Sequence, residues 1–315
     1  MDKFLSSNSE SVVSVVVPIM NEEGNVALLV DRVSAVLEGV ASFEIIFVND
    51  GSTDNTLEVI KQLNASDKRV KYLSFSRNFG HQSALRAGLD FAEGDCVVSM
   101  DGDLQHPPEL IPEMIQKWKE GYDVVYTLRK DTEEVGFFKR KTSALFYKLI
   151  NWLSDVEIEQ GSADFRLVDR CVIDALRKFH ENPIFYRGLV RWLGFRQFAL
   201  EYEPEKRVWG KTKYSLKKMF KFALVGITSF SVRPLHMSTI LGLIMAIFSF
   251  LYGIYAIILK LFTDQTIPGW TSLLIVVALI GGIQLLMIGI LGEYLGKLFI
   301  ETKRRPAYII KEKKI

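Results

Sequence analysis

The stretch Val97-Val98-Ser99-Met100-Asp101-Gly102-Asp103-Leu104-Gln105 decides how the rest of the chain is interpreted. A mostly apolar run leads directly into two carboxylates, Asp101 and Asp103. Residues i and i+2 of an extended backbone point to the same side, so both carboxylates can converge just past a strand end. Such an oxygen pair suits Mg²⁺ or Mn²⁺ bridging to phosphate oxygens rather than zinc. Because Asp-Gly-Asp is also common in turns, a plain turn is the competing interpretation.

Strands and helices alternate on both sides of this stretch. Apolar, β-branched runs predict strands at Ser14–Ile19, Phe43–Val48, Val70–Phe75, Cys96–Met100 and Asp123–Thr127. Helical spacing predicts helices at 25–37, from Asp54 to Leu63, at 82–92, at 107–120 and at 170–178. The alternation predicts an α/β fold with a mostly parallel sheet that helices cover on both faces.

Polar clusters follow four of the predicted strands. They are Asn21-Glu22-Glu23, Asp50-Gly51-Ser52, Ser76-Arg77-Asn78 and Asp101-Gly102-Asp103. Sheets of this type bind ligands beyond the carboxyl ends of their strands, which favours a site over a plain turn. The first strand is not followed by Gly-x-Gly-x-x-Gly, and the chain has no Gly-x-x-x-x-Gly-Lys-Ser/Thr loop. A dinucleotide oxidoreductase and a P-loop nucleotidase are therefore disfavoured.

The C-terminal part of the chain has the composition of a membrane hairpin. Leu235–Leu259 and Gly269–Gly292 contain no Asp, Glu, Lys or Arg. Each run exceeds the roughly 20 apolar residues that a spanning helix needs. Lys and Arg are abundant outside the pair, so the positive-inside rule places both flanking parts of the chain, with both termini, in the cytosol and the short loop outside. A multi-pass protein of the cytoplasmic membrane is predicted, with a buried hairpin of a soluble protein as the alternative.

A basic amphipathic stretch precedes the hairpin. Ser215–Phe230 places Lys217, Lys218 and Lys221 among apolar residues. Next to a spanning segment, such a helix is expected to lie in the membrane interface and to bind anionic lipid or a lipid phosphate. A solvated lysine face is the alternative. The predicted domains are 1–205, catalytic; 206–234, interfacial; 235–296, transmembrane; and 297–315, a basic cytosolic tail.

Charge and cysteine content exclude other classes. The net charge of +2 gives no reason to expect nucleic acid as a partner. The two cysteines, Cys96 and Cys171, are too few for a disulfide framework, which agrees with a reducing compartment. Residues 1–11 carry no signal-peptide pattern.

The motifs together resemble the family two inverting glycosyltransferases. The segments that carry the resemblance are Ser14–Glu23, Val48–Ser52, Ser76–Gly80, Asp101–Gln105, Glu120–Val125, Ala163–Leu167 and Gly210–Tyr214. Leu291–Lys297 and Lys303–Tyr308 narrow the resemblance to the polyprenyl-phosphate glycosyltransferases, such as dolichol-phosphate mannose synthase and the bactoprenol glucosyltransferases. The resemblance covers nearly the whole chain and implies a nucleotide-sugar-binding domain of the GT-A type, interfacial amphipathic helices and two transmembrane helices.

The resemblance also implies a role for individual residues. Pro18, Glu22 and Asp50 would line the nucleobase and ribose pocket, Asp101 and Asp103 would hold the metal and diphosphate, Gln105 would lie near the donor phosphates, Asp164 would be the candidate base, and Arg207 and Lys213 would bind acceptor or donor phosphate. The residues alone leave Asp164 open to another interpretation, a carboxylate at the start of the helix that follows it. Met20, Gly102, His81 and Ala163 depart from the commoner family pattern, but none of these departures removes a carboxylate.

The implied reaction is metal-dependent, inverting transfer of one sugar from a nucleotide diphosphate sugar to polyprenyl (undecaprenyl) phosphate at the cytosolic membrane face. The favoured sugar is glucose, carried by a UDP-linked donor, and the alternatives are N-acetylglucosamine, mannose or modified arabinose. A polysaccharide synthase is less favoured because Gln197-Phe198-Ala199 does not begin a Gln-x-x-Arg-Trp motif. A non-enzymatic scaffold would be expected to have lost its carboxylates. Gly281-Gly282 and Gly289 would permit close helix packing in a homo-oligomer.

Overall fold

The computed structural model describes residues 11–130, 161–179, 181, 185–203, 231–262 and 269–315. Close contacts divide the chain into two compact units. The first contains the sheet and also takes in the C-terminal segment Pro306–Ile315. The second runs from Ala223 to Arg305 and contains two long helices. The predicted amphipathic helix at Ser215–Phe230 lies outside the described residues, as do Arg207 and Lys213.

Up to Arg129 the first unit alternates strands and helices, as the sequence predicted, and three further strands that were not predicted follow. Its elements are β1 Val12–Ile19, α1 Val26–Leu37, β2 Ser42–Asn49, α2 Thr56–Ser66, β3 Val70–Phe75, α3 His81–Phe91, β4 Cys96–Ser99, a 3₁₀ helix at Pro108–Leu110, α4 Ile111–Lys119, β5 Val124–Arg129, β6 Ser162–Asp169, α5 Arg170–Leu176, α6 Tyr186–Trp192, β7 Gln197–Tyr202 and β8 Ile310–Lys314. The α/β class is therefore confirmed.

Burial explains why these segments form these elements. In β1 every residue from Val13 to Ile19 is buried, so both faces of this strand are covered. On α1 the buried residues recur with the helical period and form one apolar face against the core, namely Val26, Leu29, Val30, Val33 and Leu37. The continuous apolar pattern of the strands and the periodic pattern of the helices thus reflect two-sided and one-sided burial.

The sheet is mixed, and mostly parallel at its centre. Its strand order is β7-β5-β6-β4-β1-β2-β3-β8. The pairs β4–β1, β1–β2, β2–β3 and β5–β7 are parallel, whereas β6 runs antiparallel to both β4 and β5. Because β6 is antiparallel, its first residues lie at the same edge of the sheet as the carboxyl ends of β4 and β5. This places the start of β6 beside the Asp101-Gly102-Asp103 turn.

The C-terminal segment adds the last strand to the sheet. Strand β8 pairs antiparallel with β3, and Ser76 N donates a hydrogen bond to Ile309 O at 3.0 Å. Just before β8, the ring of Tyr308 stacks on Phe75 with centroids 5.2 Å apart. The hydroxyl of Tyr308 donates to Asp90 Oδ2 at 3.0 Å. The predicted basic tail therefore contains an element of the sheet in the first unit.

The second unit contains α7, Arg233–Phe262, and α8, Trp270–Thr302. Within them, Arg233–Tyr255 and Leu279–Thr302 have mean hydropathies of 2.0 and 1.6 and are long and apolar enough to cross a membrane. Neither of these segments is buried inside the protein, as the core helix of a soluble domain would be. Helix α8 continues past Gly292, the end of the predicted apolar run, so part of the predicted tail is helical.

We expect Gly51→Ala to destabilise the first unit by roughly 2–4 kcal/mol. Gly51 has φ +70°, and a Cβ there would lie 2.6 Å from the backbone carbonyl carbon of Arg77. Gly39→Ala is the matched control, because Gly39 has φ +78° but no atom within 4 Å of the added Cβ. It should cost only about 1 kcal/mol of backbone strain. Thermal melting of both variants checks this, and equal losses would contradict the clash at Arg77.

Candidate active site

A cavity of about 730 Å³ lies at the edge of the sheet where β1, β4, β5 and β7 end and β6 begins. Most of the residues proposed from the sequence line it. They are Pro18, Glu22, Asp101, Asp103, Gln105 and Asp164. Other residues, which the sequence did not propose as site residues, also line the cavity, namely Ile19, Met20, His81, Gly102, His106, Arg129, Gly161, Ser162, Ala163, Arg187 and Tyr202. Of the four strand-end clusters, Asn21-Glu22-Glu23 and Asp101-Gly102-Asp103 contribute to the cavity, whereas no residue of Asp50-Gly51-Ser52 or Ser76-Arg77-Asn78 lines it.

Hydrogen bonds between residues close in sequence hold the turn that follows β4 and carries the two carboxylates. Asp101 N donates to His106 Nδ1 at 3.1 Å, and the buried imidazole of His106 stacks on Phe165 with centroids 5.2 Å apart. Gln105 N donates to Asp103 Oδ1 at 3.1 Å. Asp101 remains 38% exposed at the cavity, whereas Asp103 is largely buried. The segment is thus both a turn and a site, and His106 fixes the backbone of Asp101.

The antiparallel register of β6 carries Asp164 to the same place. Ser99 pairs with Arg166, so two residues further along the register Asp164 is level with Asp101. The hydroxyl of Ser99 donates to Asp164 O at 2.6 Å. The carboxylate at the start of the following helix is instead Asp169, which accepts a hydrogen bond from Cys171 N. Interpreting Asp164 as a helix-start residue is therefore wrong.

The Asp164 carboxylate makes a bidentate ion pair. Arg187 Nε donates to Oδ1 at 2.7 Å and Arg187 Nη2 donates to Oδ2 at 2.9 Å. Burial alone would raise the pKa of Asp164, but the charge and hydrogen bonds of Arg187, together with His81, outweigh it. They hold the pKa of Asp164 well below its usual range. A carboxylate in this state is a weak proton acceptor, so it is better suited to hold a charge in place.

His81 lies between the carboxylates of Asp101 and Asp164. Its Nε2 is 3.6 Å from Asp101 Oδ1 and 3.4 Å from Asp164 Oδ2. Burial would lower the pKa of His81, but the hydrogen bond to Asp164 and the charges of both aspartates raise it to about 9. At neutral pH the imidazole is therefore protonated and reduces the repulsion between Asp101 and Asp164. His81 begins α3, and the sequence signalled it only as a departure from the family pattern.

Asp50 contacts the backbone rather than the cavity. It is buried, its Oδ1 accepts a hydrogen bond from Phe79 N at 2.6 Å, and its Oδ2 accepts one from Gly80 N at 2.9 Å. Burial raises the pKa of Asp50, because its effect outweighs that of the two hydrogen bonds, which lower the pKa. Among the described residues, Asp50 does not line the cavity. It shapes the loop that leads into α3 and so positions His81.

The donor set fits a divalent cation that takes few ligands from the protein. Asp101 and Asp103 supply hard carboxylate oxygens at one cavity. Within the described part of the chain, no group of three or more His, Cys, Asp or Glu residues forms a complete metal site. Mg²⁺ usually binds through one or two carboxylates plus substrate phosphates and water, so two aspartates are compatible with it.

The N-terminal part of the chain contains the segment that identifies the family. A model of Glycosyl transferase family 2 matches residues 14–177, which is more than half of the chain. The protein belongs to glycosyl transferase family 2. It is a glycosyltransferase, and the matched segment includes β1 to β6 and the residues Asp101, Asp103 and Asp164.

Relatives match this glycosyltransferase over nearly its whole length. It is 47% identical to an uncharacterized glycosyltransferase, YkcC, of Bacillus subtilis (strain 168), over 95% of this chain and 93% of the relative. It is 44% identical to the bactoprenol glucosyl transferase of Shigella phage SfV, over 96% of this chain and 99% of the relative. A match of this length extends well beyond the family 2 segment and takes in most of α7 and α8.

A solved structure shares the fold of this glycosyltransferase. It is the mannosyltransferase PcManGT from Pyrobaculum calidifontis, in complex with GDP-Man and Mn²⁺, with a TM-score of 0.51 and 16% identity. The match covers 71% of this chain and 64% of that chain, slightly less than two thirds of its length. At this identity the likeness supports a GT-A type fold and nothing more specific.

Proposed function

We propose that this glycosyltransferase moves one sugar from a nucleotide diphosphate sugar to the phosphate of a polyprenyl phosphate. The observation that carries the proposal is the cavity in which Asp101 and Asp103 lie close to the ion pair of Asp164 and Arg187. One part of the cavity thus suits a metal-bound diphosphate and the adjacent part suits a second anion. The relative named bactoprenol glucosyl transferase supports an acceptor of this type.

The donor would bind with its diphosphate at Asp101 and Asp103. The leaving nucleoside diphosphate gains negative charge, and Mg²⁺ or Mn²⁺ held by these two carboxylates would stabilise that charge. Pro18 and Glu22, which line the same cavity at the end of β1, would contact the nucleoside, and Gln105 would lie near the phosphates. The carboxylate of Glu22 is oriented by Asn25 Nδ2, which donates to its Oε2 at 2.6 Å.

The acceptor phosphate needs little activation. Its second pKa is about 6, so it is mostly dianionic at neutral pH. It would attack the anomeric carbon opposite the leaving diphosphate, which inverts the configuration. Asp164 is held ionised by Arg187, so it would orient the reacting groups or stabilise positive charge on the sugar rather than remove a proton. Arg207 and Lys213, which lie outside the described residues, remain proposed contacts to phosphate.

The membrane would supply the acceptor. We propose that α7 and α8 span the cytoplasmic membrane as a hairpin, with the catalytic unit and both termini on the cytosolic side. Their length and hydropathy support this topology, and so do the Lys and Arg residues outside the pair. The basic stretch 206–234 would lie in the lipid interface. Membrane lipid and, through close helix packing, a second copy of the chain are further proposed partners.

Membranes containing the protein, supplied with undecaprenyl phosphate and a panel of radiolabelled UDP- and GDP-sugars, test the proposal. We expect label to enter the lipid fraction from UDP-glucose, with UDP-N-acetylglucosamine, GDP-mannose and a modified arabinose donor as the alternatives. Removal of divalent cations by EDTA should abolish incorporation, and added Mg²⁺ or Mn²⁺ should restore it.

Asp31→Asn membranes are the positive control, since Asp31 is an exposed carboxylate on α1 that does not line the cavity. Label in lipid from none of the donors would overturn the proposed function. Incorporation that EDTA leaves unchanged would overturn the role of the metal while leaving the transfer reaction in place.

A further inference from the structure

The charges around Asp164 do not cancel. Its carboxylate is bound by Arg187, and Arg166 Nη2 lies 3.9 Å from its Oδ1. Burial lowers the pKa of Arg166 to about 10, so Arg166 is still protonated at neutral pH. Two guanidinium groups therefore face the carboxylate of Asp164, while His81 lies between Asp164 and the second carboxylate, Asp101, and adds no negative charge. This end of the cavity carries an excess of positive charge.

The side chains of Asp164, Arg166 and Arg187 differ in how far they are exposed. Asp164 and Arg166 have side chains only 9% and 7% exposed, whereas the side chain of Arg187 is 28% exposed. Arg187 lines the cavity, and Arg166 does not. Asp164 also lines the cavity but is mostly buried, so a ligand at this end would meet mainly the guanidinium of Arg187. The carboxylate of Asp164 accepts hydrogen bonds from Arg187 Nε and Nη2 and so fixes the plane of that guanidinium.

We propose that Arg187 binds the phosphate of the acceptor and that Asp164 holds its guanidinium in position. The inference rests on the proposed function, in which the acceptor is a phosphate monoester. Such a phosphate carries a charge of about −1.5 to −2 at neutral pH, and a lone carboxylate would repel it. A planar guanidinium matches the geometry of phosphate oxygens and keeps its charge throughout the physiological pH range.

Two other roles for Arg187 make different predictions. If Arg187 only neutralises Asp164, a double variant that lacks both charges should recover the acceptor affinity that is lost when Arg187 alone is replaced. If Arg187 binds the donor diphosphate, its loss should weaken donor binding. Under the proposal, the loss of Arg187 weakens acceptor binding, and the additional removal of the Asp164 charge does not restore it.

The experiment measures the KM for undecaprenyl phosphate and the KM for the sugar donor separately, with the full chain in membranes. For Arg187→Gln we expect the acceptor KM to rise roughly 10- to 100-fold, which is typical of losing a charge-assisted contact, and the donor KM to change less than about threefold. Arg187→Lys should recover part of the acceptor affinity because it keeps the charge. The double variant Arg187→Gln with Asp164→Asn should keep the raised acceptor KM.

Arg32→Gln is the matched control. Arg32 makes the same bidentate contact to Glu109, with Nε to Oε1 at 3.0 Å and Nη2 to Oε2 at 2.7 Å, but it does not line the cavity. Its removal should leave both KM values unchanged. Calorimetric titration with a short-chain prenyl phosphate in the absence of donor, and with the matching prenyl alcohol, shows whether the lost affinity belongs to the phosphate.

An unchanged acceptor KM in Arg187→Gln would overturn the inference, as would an equal rise in the donor KM or a normal acceptor KM in the double variant. In each of these cases the wild-type protein still transfers sugar, so the proposed function stands. If the wild-type protein transfers no sugar to polyprenyl phosphate, the proposed function fails and the inference fails with it.

Discussion

Replacing Asp103 with Asn is expected to lower the rate of sugar transfer by roughly 10²- to 10³-fold, the range seen when one preorganised electrostatic contact is removed. Asp103 is largely buried, and its Oδ1 accepts a hydrogen bond from Gln105 N. The amide oxygen of Asn can accept the same bond, so the turn should keep its shape while the negative charge is lost. Initial rates with saturating donor and acceptor check the prediction.

The variant should also need more divalent cation to reach half of its maximal rate, because one of two carboxylate ligands is weakened. Thermal melting close to that of the wild type would show that the fold is intact. Asp31→Asn, which removes a carboxylate of the same type from the exposed face of α1, should leave the rate unchanged. A full rate with the wild-type metal requirement in Asp103→Asn would contradict the placement of the metal.

Replacing Asp164 with Asn is expected to lower the rate roughly 10²-fold or more, by the same electrostatic reasoning. The wild-type rate should change little between pH 7 and pH 8. Because Arg187 and His81 hold the pKa of Asp164 well below its usual range, Asp164 is fully ionised at both values. The acceptor phosphate, with a second pKa of about 6, changes little between them. In the wild type, His81 also keeps its proton, since its pKa is raised to about 9.

Rates of the wild type and of Asp164→Asn at pH 7, 7.5 and 8 give the measurement. A variant rate that rises about tenfold per pH unit while the wild-type rate stays flat would mean that the variant has lost a proton transfer, and Asp164 would then be a general base. Asp174→Asn is the control, because Asp174 also pairs with an arginine, at 3.2 Å from Arg177, but outside the cavity.

The strands and helices before residue 130 could be predicted because burial leaves a clear pattern in the sequence. A strand covered on both faces, such as β1, is continuously apolar, and a helix packed on one side, such as α1, is apolar with the helical period. Strands β6 and β7 were not among the predicted strands, and the antiparallel direction of β6 is visible only in its pairing with β4 and β5. Strand β8 was missed because Ile310–Lys314 contains four charged residues and has the composition of a solvated tail.

The site was predictable to the extent that it consists of side chains at strand ends. Asp101 and Asp103 were found because the spacing i, i+2 after a strand places them together. Asp50 has the same position after β2, yet its carboxylate accepts backbone hydrogen bonds, and composition does not distinguish these two uses. Arg187 carried no signal, because it lies on the short helix α6, 23 residues along the chain from Asp164, and meets that carboxylate only in the folded protein.

The pairing of β8 with β3 sets an order in which the protein can be assembled on the ribosome. Tyr308 contacts Asp90 across 218 residues of sequence, and both long apolar helices, α7 and α8, are synthesised between them. Until β8 has been synthesised, β3 therefore remains an open sheet edge, which is a surface prone to pairing with other chains. Completion of the sheet must follow synthesis of α7 and α8. A C-terminal fusion or truncation would consequently act on the sheet that carries the site.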